Sequence, residues 1–595
     1  MDNQIDEFYN SSINKKKSSS PRSPKRFNFL SWLKKIFPSK KQLRFLPHVL
    51  SKRERYGILT FCIIIFGLLI YLPIGAFYSS TQPAPDFGGS YTEGLLGEPK
   101  YINPLLVQAN DTDRDISSII YSGLMKHDEA GKLVYDLAES YEVSSDGLEY
   151  TFVLNKNVQW HDGAPLTTDD VIFTIKILQN SDYGSIQRIN WQGIDTEKVS
   201  DHILKLKLKN KYAQFLNNAT LGILPKHLWE NIKPSNFALS DLNLHPIGSG
   251  PYKFKRLIKD DAGLIKSYEL ESYENYHQSK PFIDKITFKF FDSEDDLVSA
   301  YNRNLIEGIG FLSNKQLDSL KFSQRLSPKQ TRLPRYFAAF FNPNQSALLI
   351  DKNIRLVLNY GTNKQELIDR ILNGQGLAIN SPILKELFVP DTPAKYAYDP
   401  AFAKQILENS GWKDEDGDGI REKNKNLLTI SIKTSNWPEL SQTAEILKEQ
   451  WTSLGFGVEL QIESLTEIQQ SIKDRNYEVL VFGEVLNLDP DPYSFWHSSQ
   501  KKDPGLNLAL YDNQNADKIL EESRQILDPI ERDKKYQDFE KILLEDTPTV
   551  FLYSPYYVYL PSKKIKGNDL EVLPTPSSRF DNINEWYIST KRIKK

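Results

Sequence analysis

LLTISIKTSNWPELSQTAEILKEQWTSLGFGVELQIESLTEIQQSIKDRNYEVLVFG, residues 427–483, switches repeatedly between two hydrophobic periods. Residues 427–433 are a short apolar run of strand length. Ala444, Ile446, Leu447, Trp451 and Leu454 then recur at helical spacing over 441–454, and Gly455 stands where a helix C-cap is expected. Residues 458–462 alternate as a strand. Thr466 and Gln469 have capping-box spacing for a helix running to about Lys473, and 477–483 is a third apolar strand. A strand–helix–strand–helix–strand order predicts a parallel sheet with helices on its faces, because parallel neighbours need a crossover between them. The fold class is therefore α/β.

Two helices are predicted upstream. One begins at Thr362 with Gln365 completing a capping box, buries Leu367, Ile368, Ile371 and Leu372, and ends at Gly374. The other has Asp399 as N-cap and Pro400 at its first position, buries Phe402, Ile406 and Leu407, and stops at Gly411. Residues 145–175 read differently: hairpin-like strands around 148–154, a turn at Asp162-Gly163, and a helix from Thr168. At 595 residues the chain is too long for one core.

The net charge of −3 conceals a division. Residues 1–56 hold 14 Lys/Arg against 4 Asp/Glu, and the remainder 60 against 73. A basic arm joined to an acidic body points to two environments. Between them lies YGILTFCIIIFGLLIYLPIGAFY, from Tyr56 to Tyr78, with no charged residue. At about 1.5 Å per residue this run reaches roughly 34 Å as a helix, enough to cross a hydrocarbon core of about 30 Å. Lys52, Arg53 and Arg55 precede it, so the arm is expected in the cytoplasm and everything after Ser79 outside. The arm is too long for a signal-peptide n-region, and Ala76 is followed by Tyr78 rather than a small residue. The single cysteine, Cys62, lies early in the run behind Phe61, where no lipid-attachment site would place it. An uncleaved anchor is expected. Residues 27–37 have the spacing of a short helix on the cytoplasmic leaflet.

After the linker STQPAPDFGG, six segments in order carry a resemblance. They are GGSYTEGLLGEPKYINPLL (88–106), the long run from Gly123 to Ile175, HPIGSGPYKFKR (245–256), DKNIRLVLNYGTNKQELIDRILNGQG (351–376), YDPAFAKQILENSGWKDEDGDG (398–419) and DPDPYSFWHSS (489–499). Together they resemble the family 5 extracellular solute-binding proteins, the oligopeptide-, dipeptide- and nickel-binding proteins of ATP-driven importers. The resemblance implies a periplasmic-binding-protein-like fold of type II with two lobes and a hinge. It implies a cytoplasmic arm at 1–55, the anchor at 56–78, a linker at 79–87 and lobe one at 88–121 and 226–335. An extra subdomain at 122–225 would pack on lobe one, lobe two would run over 336–550, and 551–595 would return to lobe one.

The loop GEVLNLDPDPYSFW (483–496) follows a strand of the expected parallel sheet, at the edge where open α/β sheets bind ligands. In peptide-binding relatives an aspartate in this loop pairs with the ligand's α-amino group, which makes Asp489 and Asp491 the candidates beside Gly483. The spacing departs from the oligopeptide pattern by about one residue, and Glu484 stands where the relatives have Trp. Position in the family pattern adds Asn110 and Asp111 in a lobe-one loop, Asn436 and Trp437 after the strand at 427–433, and Tyr553 near the return to lobe one.

Other motifs are read as structure. Trp160-His161-Asp162-Gly163 reads as a turn leading to a helix cap, and Gly248-Ser249-Gly250-Pro251-Tyr252 lacks the Lys-Ser/Thr of a phosphate loop. Asp414, Asp416 and Asp418 match the first half of a calcium loop, but Lys425 stands where the bidentate Glu belongs. The eight histidines show no paired metal-ligand spacing and no hydrolase elbow is present, so neither enzyme activity nor a cofactor is expected. The reading is an anchored monomeric receptor for peptides or a similar small polar solute, serving the permease of an ABC importer, with no nucleic-acid partner. An anchored sensor or scaffold of the same fold is the alternative.

Overall fold

The computed structural model describes residues 50–107, 110–185, 187–384 and 394–595. They belong to two compact units, Met1–Pro83 with Arg592–Lys595, and Ala84–Lys591. The leaflet helix expected at 27–37 lies outside the described residues.

The first unit is built on the helix Lys52–Ser80, which extends the uncharged run by a turn at its N-terminus and two residues at its C-terminus. Ser51 caps it in a box with Glu54, whose carboxylate accepts from the Ser51 amide at 2.9 Å. No residue of the helix is buried. The helix is long and apolar enough to cross a membrane.

The second unit holds two principal sheets. The first has five strands in the order Gly308–Ile309, Ser90–Leu96, Lys285–Phe291, Ile265–Ser272, Tyr252–Lys259. A separate antiparallel sheet of four strands, Ala138–Val143, Glu149–Leu154, Ile203–Leu208 and Ile194–Ser200, carries the helix Thr168–Gln179. One continuous apolar core, from Tyr91 and Phe288 to Tyr150, Phe152 and Leu204, joins these two sheets into one lobe.

The other lobe is a six-stranded sheet ordered Gly376–Ala378, Thr549–Pro555, Arg335–Phe341, Val479–Val485, Thr429–Ser435, Gly457–Glu463. The last three run parallel, joined by the helices Pro438–Thr452 and Leu465–Asp474, as the opening stretch predicts. Arg335–Phe341 is antiparallel to Val479–Val485, so the sheet is mixed. Separate cores fill its two faces. The chain passes between lobes through 329–341 and back through 549–559, and Lys329–Thr331 pairs with Tyr557–Tyr559 in a two-stranded ribbon. Two adjacent crossings are the geometry of a hinge.

Local chemistry moved several expected boundaries. The capping box of Leu465–Asp474 is Ser464 with Glu467, not Thr466 with Gln469. Lys364–Leu372 is capped by Asn363, whose side chain accepts from the Glu366 amide, and Asn373 in the left-handed region closes it. Asp399 and Pro400 start Pro400–Asn409 as expected, but Ala403 and Leu407 are its buried residues. Phe402 instead stands edge-on to Tyr360 at the surface, centroids 5.0 Å apart.

Candidate ligand site between the two lobes

Strand alternation decides which side chains meet in the cleft. Arg335 opposes Val485 and Phe337 opposes Gly483, so these four share one face of the strand pair, while Tyr336 and Glu484 share the other. A Cβ at Gly483 would lie 2.7 Å from the Phe337 ring. Glycine there lets Phe337 lie across the partner strand and approach Tyr553, centroids 5.4 Å apart.

Arg335 begins its strand just past the hinge crossing. It is half-buried, and its Nε is sealed from water with no hydrogen-bond partner. No ion pair involves it among the described residues. The charges that bear on it come from Glu439 of lobe two and Asp111 of lobe one. Glu439 lies in the first turn of Pro438–Thr452, and burial raises its carboxyl against the pull of Arg335. Around this cluster large rings face solvent. Trp437 is 62% exposed, and Phe311 is 40% exposed while stacked on Tyr557 at 6.0 Å and 13°. Lobe one adds a recess of about 230 Å³ lined by Val107, Arg114, Ser118, Tyr121 and Thr575 among others, and the buried Tyr121 hydroxyl has no partner.

The residues expected from sequence divide into two groups. Asp111, Trp437 and Gly483 belong to the neighbourhood of Arg335, and exposed Asn436 adjoins Trp437. Asn110 is a helix cap: its side chain accepts from the Thr112 amide and donates to Glu98 O, each at 3.0 Å. Tyr553 is wholly buried beneath the cleft floor, its hydroxyl 2.7 Å from Thr443 Oγ1, so it packs where a ligand contact was expected.

Asp489 and Asp491 are engaged by the protein. Both oxygens of Asp489 accept from Arg532 Nη2 at 2.9 Å. Asp491 Oδ2 accepts from Arg524 Nε at 3.1 Å and Nη2 at 2.9 Å, and from the Tyr212 hydroxyl at 3.3 Å. Arg524 lies 4.3 Å above the Tyr493 ring and 5.2 Å above Tyr212. The neighbouring Gln214 donates to Pro490 O and Tyr536 Oη, both at 3.0 Å. Tyr212 and Gln214 follow a strand of lobe one, so this loop is where the lobes hold each other.

Arg335 and Glu439 were missed by sequence reasoning. Neither sits in a motif, and the one available signal was a charged residue opening the otherwise apolar strand Arg335–Phe341.

The other singled-out motifs resolve as structure. His161 Nε2 donates to Gly250 O at 3.0 Å while its Nδ1 accepts from the Gly248 amide at 3.2 Å, which requires a neutral ring. Burial lowers its pKa to about 4, in agreement. A Cβ on Gly248 would meet Ile120 O at 2.0 Å, so glycine permits this turn to seat on the end of Asp111–Ile120. In the acidic turn it is Glu422, rather than Asp418, that brings a carboxylate oxygen within 4.8 Å of Asp414 and Asp416.

A sequence model described as bacterial extracellular solute-binding proteins, family 5 middle, matches residues 132–506. The oligopeptide-binding protein AppA of Bacillus subtilis is 30% identical over 521 residues, 85% of this chain and 92% of that protein. Its structure, solved with a nonapeptide, superposes with a TM-score of 0.66 at 28% identity, covering 85% of this chain and all of that one. NikZ of Campylobacter jejuni, solved with Ni(L-His), gives 0.68 at 27% identity, covering 84% and 99%.

Proposed function

The chain belongs to the family 5 bacterial extracellular solute-binding proteins, and from that premise we propose that it captures peptides between its lobes and delivers them to an ABC importer. The observation that carries the peptide reading is Arg335, a half-buried guanidinium with a sealed, unpartnered Nε that feels the charges of Glu439 in its own lobe and of Asp111 in lobe one. A peptide is a zwitterion with a polar backbone. Its carboxylate or carbonyl oxygens suit Arg335, its ammonium suits Glu439, with Asp111 already paired to Arg114 nearby, and Trp437 and Phe311 offer flat apolar contacts that read no particular side chain. The recess beside Arg114 gives room for more than one residue.

The apolar helix is the tether in this reading. The arm before it is cytoplasmic, the binding lobes are extracytoplasmic, and the protein works as a monomer against its permease. Intact mass of the protein purified from membranes tests the tether: retention of the residues before Tyr56 is expected, and a chain starting after Tyr78 would overturn it. For the cargo, a library of short peptides with free termini is titrated calorimetrically, with the thermal midpoint followed in parallel. Binding heat and a raised midpoint are expected. The peptide reading fails if neither appears, and native mass spectrometry of the purified protein then shows what solute the cleft retains.

A further inference from the structure

The chain returns to its own anchor. Thr81–Pro85 follows the long helix directly and pairs with Thr590–Lys594, at the far end of the sequence, in a two-stranded sheet. Arg592–Lys595 thereby joins the compact unit of the helix. The Lys595 amide donates to Ser80 O at 3.0 Å. The Arg592 guanidinium donates to Tyr78 O at 3.1 Å, to Thr81 O at 2.8 Å and to Thr81 Oγ1 at 2.8 Å. It also lies 4.3 Å over the Tyr78 ring. The helix has no basic residue in its own last turn, so Arg592 supplies the cation that a helix C-terminus favours. Lys594 and Lys595 are exposed and form no ion pair among the described residues. Lys591, by contrast, is paired with Asp86 at 3.1 Å.

We propose that Arg592, Lys594 and Lys595 form a binding site for the phosphate headgroups of anionic phospholipids in the outer leaflet. The proposal rests on the anchor reading, which puts Tyr78, last residue of the uncharged run, at the membrane–water interface where tyrosines concentrate. Arg592 stacked on that ring then sits at headgroup depth. Lys595 is bonded to the last helical residue, and Lys594 is its neighbour. Both adjoin the end of the helix, and surface charge is felt over a Debye length of about 8 Å at physiological salt. The charge balance gives the site a use. Residues beyond 56 carry 60 basic against 73 acidic side chains, so the body as a whole is repelled by an anionic surface. Three cations at the exit of the helix hold the junction against the headgroups. Strand pairing fixes them there, whereas a free basic tail would be dispersed.

The test uses the full chain in nanodiscs of phosphatidylcholine containing about a third phosphatidylglycerol, with retained lipid counted by native mass spectrometry. Each near-surface cation is expected to change lipid occupancy by about fivefold. K594E/K595E alters only exposed side chains and is expected to lower retained phosphatidylglycerol at least tenfold without changing peptide binding. Equal retention by the two proteins overturns the proposal. Displacement of the lipid by millimolar inorganic phosphate also overturns it, by showing a site for free anions. If the wild-type chain does not enter nanodiscs at all, the anchor reading fails and takes the proposal with it. Incorporation with equal retention fails the proposal alone.

Discussion

Two charged regions border the cleft, and they handle charge in opposite ways. At the 489–491 loop each carboxylate has an arginine: Asp489 holds Arg532, and Asp491 holds Arg524 and the Tyr212 hydroxyl of the other lobe. Near the hinge, Arg335 has two acids in range but none in contact, and its Nε is sealed from water without a partner. Ion pairing fixes the first region, although Asp491 Oδ1 and Gln214 Oε1 are buried there without partners, while the guanidinium of the second region has no ion pair among the described residues. In the proposed reading the first region is a latch and the second the receptor for charge. The aspartates that look most like ligand contacts in sequence belong to the latch.

The largest effect should come from breaking the latch from inside. The Arg532 side chain is 7% exposed, so Arg532→Ala leaves Asp489 without its cation and is expected to cost about 3–5 kcal/mol of stability. Urea unfolding measures this, and peptide affinity of the folded fraction should be unchanged. A large loss of affinity with intact stability would move the ligand site back to the loop.

Glu484, on the opposite face of the strand that carries Val485, sharpens the contrast. It too is buried without a counter-charge, bonded to the Tyr336 hydroxyl, with Oε1 unpartnered. Burial lifts its pKa from the ordinary 4.5 to about 8, so near neutrality it keeps its proton. A carboxyl can shed a buried charge in this way, whereas a guanidinium cannot, so Arg335 keeps its charge and is suited to an anion. The folded-state pKa is raised, so the folded state holds a proton that the unfolded chain has released. Stability from this group is complete below about 4.5 and is lost as pH rises toward 8, by on the order of a few kcal/mol. Denaturation midpoints between pH 5 and 8 should fall for the wild type and fall less steeply for Glu484→Gln, the remaining slope coming from Asp581 and Asp115, whose carboxyls burial raises to about 7 and about 6. Parallel slopes would place the titration elsewhere.

Much of the fold was legible in the sequence, because Ala444 to Leu454 and the flanking strands obey period rules that depend only on neighbours. Caps shifted by a residue or two, since Ser464 and Asn363 compete with adjacent polar residues for the same amides. The site was less legible. Trp437 and Asp111 were expected from family position, whereas Arg335 and Glu439, the centre of the proposed cluster, are brought together only by folding. For Asp489 and Asp491 the local pattern could not show that Arg532 and Arg524, 43 and 33 positions away, pair with them. No local pattern shows that a carboxylate is already taken.

The receptor side is tested by Arg335→Ala. Removal of one charge-assisted contact is expected to cost about 1.5–3 kcal/mol of binding, roughly 10–100-fold in Kd, with the unfolding midpoint almost unchanged. Arg335 holds no ion pair among the described residues, and Glu439, which loses its electrostatic pull, can keep its proton instead. Calorimetry should also find that Glu439→Gln weakens peptides with a free amino terminus more than acetylated ones. Equal weakening of both would remove Glu439 from the ammonium site.

The smallest expected effect separates a latch from mere packing. Tyr212→Phe removes one hydroxyl, whose bond to Asp491 Oδ2 is 3.3 Å, and leaves Arg524 in place, so stability should change little. The bond joins the two lobes, however, so its loss is felt in the balance of open and closed forms by about 0.5–1.5 kcal/mol. If peptides bind the closed form, apparent affinity falls by the same free energy, about 2- to 10-fold, through a smaller competent fraction. Solution scattering of the unliganded variant should then show a larger mean radius of gyration than the wild type, and saturating peptide should bring the two together. A variant that loses affinity without opening would place Tyr212 in contact with the ligand itself. One that opens without losing affinity would show that peptides bind the two forms equally.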